Sequence, residues 1–342
     1  MYEYKITNRA VPPYKVLFLT SQWPSSEHPS IAPFVKREVE ALRRGGVDIN
    51  VLIYDGGWSL TKYIRAISRM RKEISRHNYD LIHARFGQCG LVARAQNRIP
   101  VIITYGGSDI EAKAPAGSPP VATIKYLFLR LISRSISLFV DEVIVVSDHL
   151  GKQLFRHDYH VVPSGIDLEL FHPSDKHKAR SQLGLPQDKR LVLFVTSDPQ
   201  KRIKRLDLAQ AACDYARQIL SDLDLIVLTN RPAEEVPVYM NACDALILTS
   251  SNEGSPNVIK EALACNLPVI SVNVGDIRAR ISGIAGCVLC EDNKPETIAA
   301  GLIQVLTVPQ RLKSVHTIVS LEQHTQAHKV ILLYEQVLNP RV

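Results

Sequence analysis

Short apolar segments alternate with amphipathic stretches along this chain, and the alternation stops once and then restarts. Short apolar runs are typical of buried strands, and the longer amphipathic stretches between them are typical of helices. The first half predicts strands at 15–20, 48–54, 80–84, 101–104 and 142–146, and helices at 33–44, 60–77, 88–97 and 122–138. Strands and helices in this order predict a parallel sheet covered by helices.

The segment 165–190 interrupts the pattern because it is polar and contains Pro173 and Pro186, so it is interpreted as a linker. Beyond it, strands are predicted at 191–195, 223–229, 245–249, 268–272 and 286–289, and helices at 206–220, 256–265 and 294–306. A chain of 342 residues also exceeds one ordinary core. We therefore predict two doubly wound α/β domains, 1–164 and 165–319, each binding ligands at the carboxyl ends of its strands.

Composition narrows the class of protein. No apolar run reaches the ~18 residues of a membrane span, and the N-terminal residues show no secretory signal, so a cytoplasmic protein is predicted. The six cysteines are expected to be free thiols, including the pair Cys287 and Cys290, whose CxxC spacing lies in a strand-like run. The net charge of +7 favours anionic partners. The dinucleotide fingerprint and the Walker A sequence are absent, which argues against a nicotinamide dehydrogenase and a P-loop enzyme.

Glu253 and Glu261 lie eight positions apart, at the start and on the first turns of a predicted helix. That spacing is a little over two helical turns, so the two side chains share roughly one face. The N–H groups of the turn at 254–258 and the helix dipole form an anion site that a diphosphate fits. Carboxylates accept hydrogen bonds from hydroxyl groups. From spacing alone, a capping Glu253 and a solvated Glu261 remain an alternative.

The segment CDALILTSSNEGSPNVIKEALACNLPVI at 243–270 resembles the E-x7-E region of the retaining glycosyltransferases of family four, which have the GT-B fold. The sequence VVPSGIDLELFHP at 161–173 resembles the interdomain segment of that family, and 79–87 and 102–109 resemble its N-domain strand ends. Residues 324–338 resemble its final helix, so 320–342 are expected to cross back onto the first domain. The resemblance extends over about the whole chain.

The resemblance implies a site for a nucleotide-sugar donor on the second domain and an acceptor site on the first. It assigns Glu261 to the ribose hydroxyls and Glu253 to a hydroxyl of the donor sugar. The other donor-binding residues that we predict are Gly254, Ser255, Asn257, Val258, Lys201 and Ala32.

A basic loop, 201–205, follows the first predicted strand of the second domain and opens a helix. Its four cations in five positions make a site for a leaving diphosphate. Lys204 matches the lysine of the family, whereas Arg202 and Lys201 both compete for the place of its arginine. A solvated basic loop is the alternative.

The sequence departs from the family pattern twice in the first domain. Ala32 stands where the family often has a glycine, and Gly106 stands where many members have a histidine. Asp109, Tyr105 and His83 are the acceptor-side candidates. An N-cap role for Asp109 and a structural role for His83 are equally compatible with the sequence.

Neither a metal nor another cofactor is expected. Asp222 and Asp224 form a DxD pattern, but it precedes its predicted strand, whereas a metal site needs it at the carboxyl end. No other cluster has metal-ligand spacing. The basic loop and the helix N-terminus are expected to replace a divalent ion.

The sequence thus predicts a glycosyltransferase, specifically a hexosyltransferase, that uses UDP-, GDP- or another nucleotide sugar and a glycan, lipid-linked or small-molecule acceptor. Nucleic acid is not an expected partner. A nucleotide-sugar epimerase and a catalytically silent binding subunit are the alternatives.

The predicted helix 60–77 carries the apolar stripe Leu60, Ile64, Ile67, Met70 and Ile74 among many cations. One interpretation is a surface helix whose stripe packs on the sheet. The other keeps the stripe in the core and holds the basic face against anionic lipid at the inner membrane face, helped by Lys125, Arg130 and Arg134 of a neighbouring helix.

Overall fold

The first domain is built on a six-stranded parallel sheet. The structure is a computed structural model, and it describes residues 14–57, 59–111, 119–308, 311–313 and 315–339. The strands are β1 (Lys15–Thr20), β2 (Asp48–Ile53), β3 (Leu81–Arg85), β4 (Val101–Tyr105), β5 (Glu142–Val145) and β6 (His160–Val161). The helices between them are α1 (Pro33–Arg44), α2 (Leu60–Arg76), α3 (Gly87–Ala93), α4 (Ser108–Glu111), α5 (Pro120–Ile136) and α6 (Asp148–Gly151).

The second domain repeats this plan with a five-stranded parallel sheet. Its strands are β7 (Arg190–Thr196), β8 (Leu223–Thr229), β9 (Ala245–Leu248), β10 (Val269–Ser271) and β11 (Val288–Leu289). Its helices are α7 (Lys176–Leu183), α8 (Leu206–Arg217), α9 (Val236–Ala242), α10 (Asn257–Ala264), α11 (Ile277–Ile281), α12 (Pro295–Thr307) and α13 (Val315–Ile318). The last helix, α14 (Gln323–Leu338), leaves this domain.

Both sheets reverse their strand order at the same place. The first sheet runs β2-β1-β3-β4-β5-β6, and the second runs β11-β10-β9-β7-β8. The chain therefore reverses direction across the sheet between β1 and β3, and again between β7 and β9. In doubly wound sheets, the loops that leave the carboxyl ends of such neighbouring strands diverge and leave a crevice for a ligand.

The chain passes between the two domains twice, and the two connecting segments lie side by side. We call these segments the first and the second crossing. The first core extends to Val162, and the second begins at Ile166. At the crossings, the Ile166 N–H donates to Leu321 O at 2.8 Å, and the Gln323 N–H donates to Ile166 O at 2.9 Å. After the second crossing, α14 packs on α1 and adds side chains to the first core, so the first domain is completed by the end of the described chain.

Ser164 lies in the first crossing, and side chains from both domains contact it. Arg85 Nη2 approaches its hydroxyl at 3.5 Å from the first domain. Lys260 Nζ donates to its carbonyl at 2.9 Å from the second. Lys260 is fully buried, and this burial lowers the pKa of its ammonium group to about 7.

His83 ties α14 to the first sheet. Its imidazole has no exposed surface, and its Nδ1 and Nε2 lie 2.6 Å from the Tyr334 hydroxyl and 2.7 Å from the Thr104 hydroxyl. Burial lowers the pKa of His83 to about 3, because the core does not solvate an imidazolium ion.

The buried imidazole should make the protein acid-sensitive. Below pH ~6.5 the unfolded chain binds a proton at His83 that the folded chain does not bind, so stability falls as pH falls. We expect His83 alone to lower the free energy of unfolding by about 2 kcal/mol between pH 7 and pH 5. Urea unfolding of the wild type and of His83→Gln at both pH values measures this. A pH dependence equal in the two proteins would contradict it.

The predicted linker 165–190 is not wholly irregular. It contains α7, whose first turn is capped by the Asp175 carboxylate accepting from the Lys178 N–H at 2.8 Å. The helix packs on α9, and Arg180 is buried with its guanidinium on Asp244 at 2.7 Å. The segment therefore belongs to the second domain. Among the described residues, no helix is both long and apolar enough to cross a bilayer.

Candidate active site

The candidate site lies where the second sheet reverses its strand order. The loop after β7 and the loop after β9 leave neighbouring strands there, and hydrogen bonds join them. The Ser251 N–H donates to Ile203 O at 2.9 Å, and the Thr249 hydroxyl donates to Arg205 O at 2.8 Å. Because of these bonds, the basic loop is fixed against the loop that carries Glu253.

Lys204 and Glu253 are in direct contact. Lys204 Nζ lies 2.6 Å from Glu253 Oε1, and the side chains are 29% and 15% exposed. The contact joins two of the three predicted catalytic residues, the third being Arg202, into one charged pair at the mouth of the crevice. A partly exposed pair of this kind can act on a ligand that enters the crevice.

The other cations of the loop lie beside this pair. Lys201 Nζ donates to the Ser197 hydroxyl at 2.8 Å, and Arg202 is exposed on the short 3₁₀ turn that ends at Lys204. The loop therefore concentrates positive charge at the carboxyl end of β7, as a site for an anion requires.

The turn before α10 is only partly free for a donor. The Ser255 hydroxyl donates to Asp276 Oδ2 at 2.8 Å, and Val258 packs against the core of the second domain. Asn257 Oδ1 is buried and has no hydrogen-bond partner among the described residues. Gly254 is buried.

Glu261 is occupied by an arginine from the other domain. Arg37 Nη2 donates to Glu261 Oε1 at 2.7 Å, and both side chains are 11% exposed. The guanidinium also lies over the ring of Phe171 at 5.2 Å. Arg37 Nε and Nη1 are buried without hydrogen-bond partners among the described residues.

A pocket of about 110 Å³ opens beside this ion pair, between the ends of β7 and β8 and the start of α1. Its lining includes Ser197, Asn230, Val236 and both members of the pair. Glu261, which was predicted to bind the ribose, therefore lines a pocket at the carboxyl edge of the sheet. Arg37 closes that pocket from the other side.

Ala32 has the backbone conformation that glycine favours. It precedes α1 with φ 46° and ψ 48°, in the left-handed region. A residue with a Cβ is disfavoured there by about 1–2 kcal/mol, which gives a physical reason for a glycine at this place in related sequences.

The main chains of the two domains approach each other closely at glycine residues. A Cβ on Gly254 would lie 2.8 Å from Gly106 O, and a Cβ on Gly107 would lie 2.9 Å from Gly254 Cα. Gly275 packs against the same turn from the other side, since a Cβ added to it would clash with Glu253 O. The Ser147 hydroxyl donates to Gly254 O at 3.3 Å. The absence of side chains lets the first domain touch the turn that precedes α10.

Asp109 shapes the first domain's part of this contact. Its carboxylate accepts from the N–H groups of Gly87 at 2.9 Å and Gly107 at 2.8 Å. Burial raises the pKa of Asp109, while these hydrogen bonds oppose that rise. Asp109 therefore fixes the loop before α4 and the start of α3, and it lies within α4 and not at its N-cap.

Tyr105 and His83, which were acceptor-side candidates, both have structural roles in the first domain. Neither has exposed surface, and the Tyr105 hydroxyl donates to Ser133 O at 2.7 Å. The place of the family histidine is also filled. A Cβ on Gly106 would lie 3.0 Å from the Phe86 ring and 3.3 Å from Arg85 Nη1.

Sequence reasoning did not find Arg37, Arg85 or Lys260. All three are buried charges at the boundary between the domains. Charged residues are ordinarily exposed, so no local pattern identifies those that a second domain will cover.

The DxD pattern and the CxxC pair both lie outside the candidate site. Asp222 pairs with Arg190, and Asp224 pairs with Lys189 Nζ at 2.6 Å, at the amino-terminal edge of β7 and β8. Cys287 and Cys290 are free thiols, as are the other four cysteines. Burial raises the pKa of both thiols to about 11.

Two sequence-family profiles match this chain. Residues 14–170 match Glycosyltransferase Family 4, and residues 187–308 match Glycosyl transferases group 1. The chain carries the two domains of a glycosyltransferase. A relative of this glycosyltransferase is TuaC of Bacillus subtilis (strain 168), whose name assigns it to teichuronic acid biosynthesis. It is 27% identical over 327 residues, which cover 77% of this chain and 82% of TuaC.

Solved structures show the fold of this glycosyltransferase. Sucrose-phosphate synthase from Thermosynechococcus elongatus superimposes with a TM-score of 0.77 at 18% identity, covering 96% of this chain and 100% of that chain. HepE from Anabaena, solved with UDP and glucose, gives a TM-score of 0.69 at 18% identity, covering 94% and 100%. The predicted GT-B fold is confirmed.

Proposed function

We propose that this glycosyltransferase transfers a hexosyl group from a nucleoside diphosphate sugar to a glycan, lipid-linked or small-molecule acceptor, with retention of configuration. The observation that carries the proposal is the contact between Lys204 and Glu253 beside the N-terminus of α10. The contact supports the proposal because a cation suited to a diphosphate lies next to a carboxylate suited to a sugar hydroxyl. HepE with UDP and glucose, and the name of TuaC, support a nucleotide-sugar donor and a polysaccharide acceptor.

The residues act mainly through electrostatics. As the glycosidic bond breaks, negative charge grows on the leaving diphosphate, and Lys204 and Arg202 stabilise it. The N–H groups that open α10 bind the same charge. Glu253 accepts a hydrogen bond from the donor sugar and, through its contact with Lys204, orients the ammonium group. Contact between the domains excludes water and limits hydrolysis of the donor.

Donor binding requires the Arg37–Glu261 ion pair to separate. Glu261 has to accept hydrogen bonds from the ribose hydroxyls, and in the closed structure Arg37 takes that place. The ribose therefore binds after the two domains move apart, and Arg37 is then free to meet another anionic group.

A catalytically silent binding subunit is the second candidate, because Phe86 and Arg85 fill the space beside Gly106. The deciding experiment has two stages. A thermal-shift screen of nucleotide sugars identifies the donor, since a ligand at ~100 times its Kd stabilises by roughly 2.7 kcal/mol. Incubation with that donor and glycan or lipid acceptors then yields a transfer product. An epimerised donor, or an unchanged one, would refute transfer.

The two glutamates should separate binding from turnover. Glu261→Ala should weaken donor binding by about 1.5–3 kcal/mol, because charge-assisted hydrogen bonds are lost. Glu253→Ala should mainly lower kcat. Calorimetric titration with the donor and steady-state kinetics measure the two effects. Glu40→Ala, on the exposed side of α1, is the control that should change neither. Wild-type kinetics in both site variants would refute the assignment.

A further inference from the structure

Five apolar side chains of α5 point away from the protein. Val121, Ile124, Leu127, Phe128 and Leu131 are between 50% and 65% exposed. They recur at three- and four-residue spacing and thus form one stripe along the helix. We call this stripe the outward face of α5.

The opposite side of α5 is the one that packs. Ser133 and Ile136 are buried, and the helix contacts α3 and α4. An amphipathic helix ordinarily buries its apolar stripe and exposes its polar side. In α5 the packed side is partly apolar as well, since Ile136 is buried and Leu129 and Ile132 are partly buried, so the outward face is a second apolar side that nothing described covers. Large exposed apolar patches mark interaction sites.

A second exposed apolar segment lies at the start of α2. The sequence predicted that the whole stripe of this helix packs in the core, and the structure corrects this. Met70 is buried, but Leu60 is 74% exposed and Ile64 is 57% exposed. Both α2 and α5 pack against α3.

Cations flank the outward face of α5, and the helix itself carries no acid. Residues 119–140 contain no aspartate or glutamate. Lys125 is exposed, whereas Arg130 and Arg134 are partly exposed along the helix. On α2, the exposed side adds Lys62, Arg65, Arg69, Arg71, Lys72 and Arg76.

We propose that the outward face of α5 docks on an anionic lipid bilayer, with its apolar side chains at the boundary between headgroups and acyl chains. An apolar stripe bordered by cations is the composition of a helix that lies in this interface. Each cation near an anionic surface adds attraction that salt screens. A two-fold contact between copies would instead place the cations of α5 against those of its partner, since the helix supplies no acid to pair with them. The proposal is independent of the transfer reaction.

Flotation of the full-length protein tests this proposal. Vesicles of phosphatidylcholine are compared with vesicles containing about one third phosphatidylglycerol, at low and high salt. The test variant is Leu127→Ser with Phe128→Ser. The matched control is Ile219→Ser, which changes an aliphatic side chain 68% exposed in the second domain. We expect the wild type and the control to float with anionic vesicles at low salt only. The double variant should bind about tenfold less, because two apolar anchors are lost.

Three results would overturn the proposal. The first is wild-type protein that stays at the bottom of the gradient with anionic vesicles. The second is a double variant that floats like the wild type. The third is a wild-type dimer in light scattering that the double variant converts to monomer, which would assign the face to self-association. Thermal melting checks the fold of the double variant, and if it unfolds, Leu131→Ser replaces it with the same expected loss of binding.

Discussion

Replacing Lys204 with alanine should lower the rate of sugar transfer by about a hundredfold or more, in the range for removing one preorganised electrostatic group. The ammonium group lies 2.6 Å from Glu253 and projects from a loop that hydrogen bonds hold in place. Its charge is therefore positioned before the donor arrives. Because the negative charge of the diphosphate is greatest as the bond breaks, kcat should fall more than donor affinity. Steady-state kinetics with the identified donor measures both.

Lys201→Ala is the matched control for this prediction. Lys201 lies three positions away in the same loop but donates to Ser197 and not to Glu253. Its loss should have a much smaller effect, whereas Arg202→Ala should act in the same direction as Lys204→Ala. Normal turnover in Lys204→Ala with no turnover in Lys201→Ala would show that the roles within the loop are assigned wrongly.

Gly107→Ala should also abolish most of the transfer activity, by about a hundredfold or more, because misplacement by ~1 Å is sufficient for losses of this size. The new Cβ would lie 2.9 Å from Gly254 Cα, so the first domain could not reach the turn before α10. Donor binding to the second domain should be nearly unchanged. Calorimetric titration and kinetics distinguish the two effects.

Gly57→Ala separates the steric clash from backbone strain. Gly57 has φ +109° and Gly107 has φ +115°, but a Cβ on Gly57 would meet no atom of the described residues within 4 Å. The control should therefore lose some stability and keep its activity. Gly254→Ala, whose Cβ would lie 2.8 Å from Gly106 O, should reproduce the loss of activity. Full activity in both cleft variants would mean that this close approach is not required for transfer.

The strands could be predicted closely because most are continuous apolar runs. β1 and β8 have the predicted bounds, and most other strands differ by one or two residues at an end. The helices α4, α6, α9, α11 and α13 were missed, since helices of four to seven residues make too few turns to show a clear period. α7 was missed because it is largely polar and lies between prolines. The outward face of α5 could not be predicted, since periodicity identifies a stripe but not the side on which it lies.

Some contacts of the candidate site could be predicted from the sequence, and others could not. Lys204 and Glu253 follow strands that the doubly wound pattern places near each other, so their proximity was predictable in outline. Arg37 and Glu261 are 224 positions apart and lie in different domains. Their contact depends on how closely the domains approach, which local sequence does not encode. The structural role of His83 likewise depends on Tyr334, which the chain returns to the first sheet only in its last helix.

The return of α14 to the first domain has a consequence for biosynthesis. Val330, Ile331 and Tyr334 fill part of the first core, yet the ribosome produces them after the whole second domain. Domains generally fold as units, with the N-terminal domain first. Here the nascent first domain has to wait with an open apolar groove and an unpaired His83 Nδ1, while the second domain can already be complete. A chain stalled or cleaved before residue 323 would therefore retain a folded second domain and a first domain that is prone to aggregate.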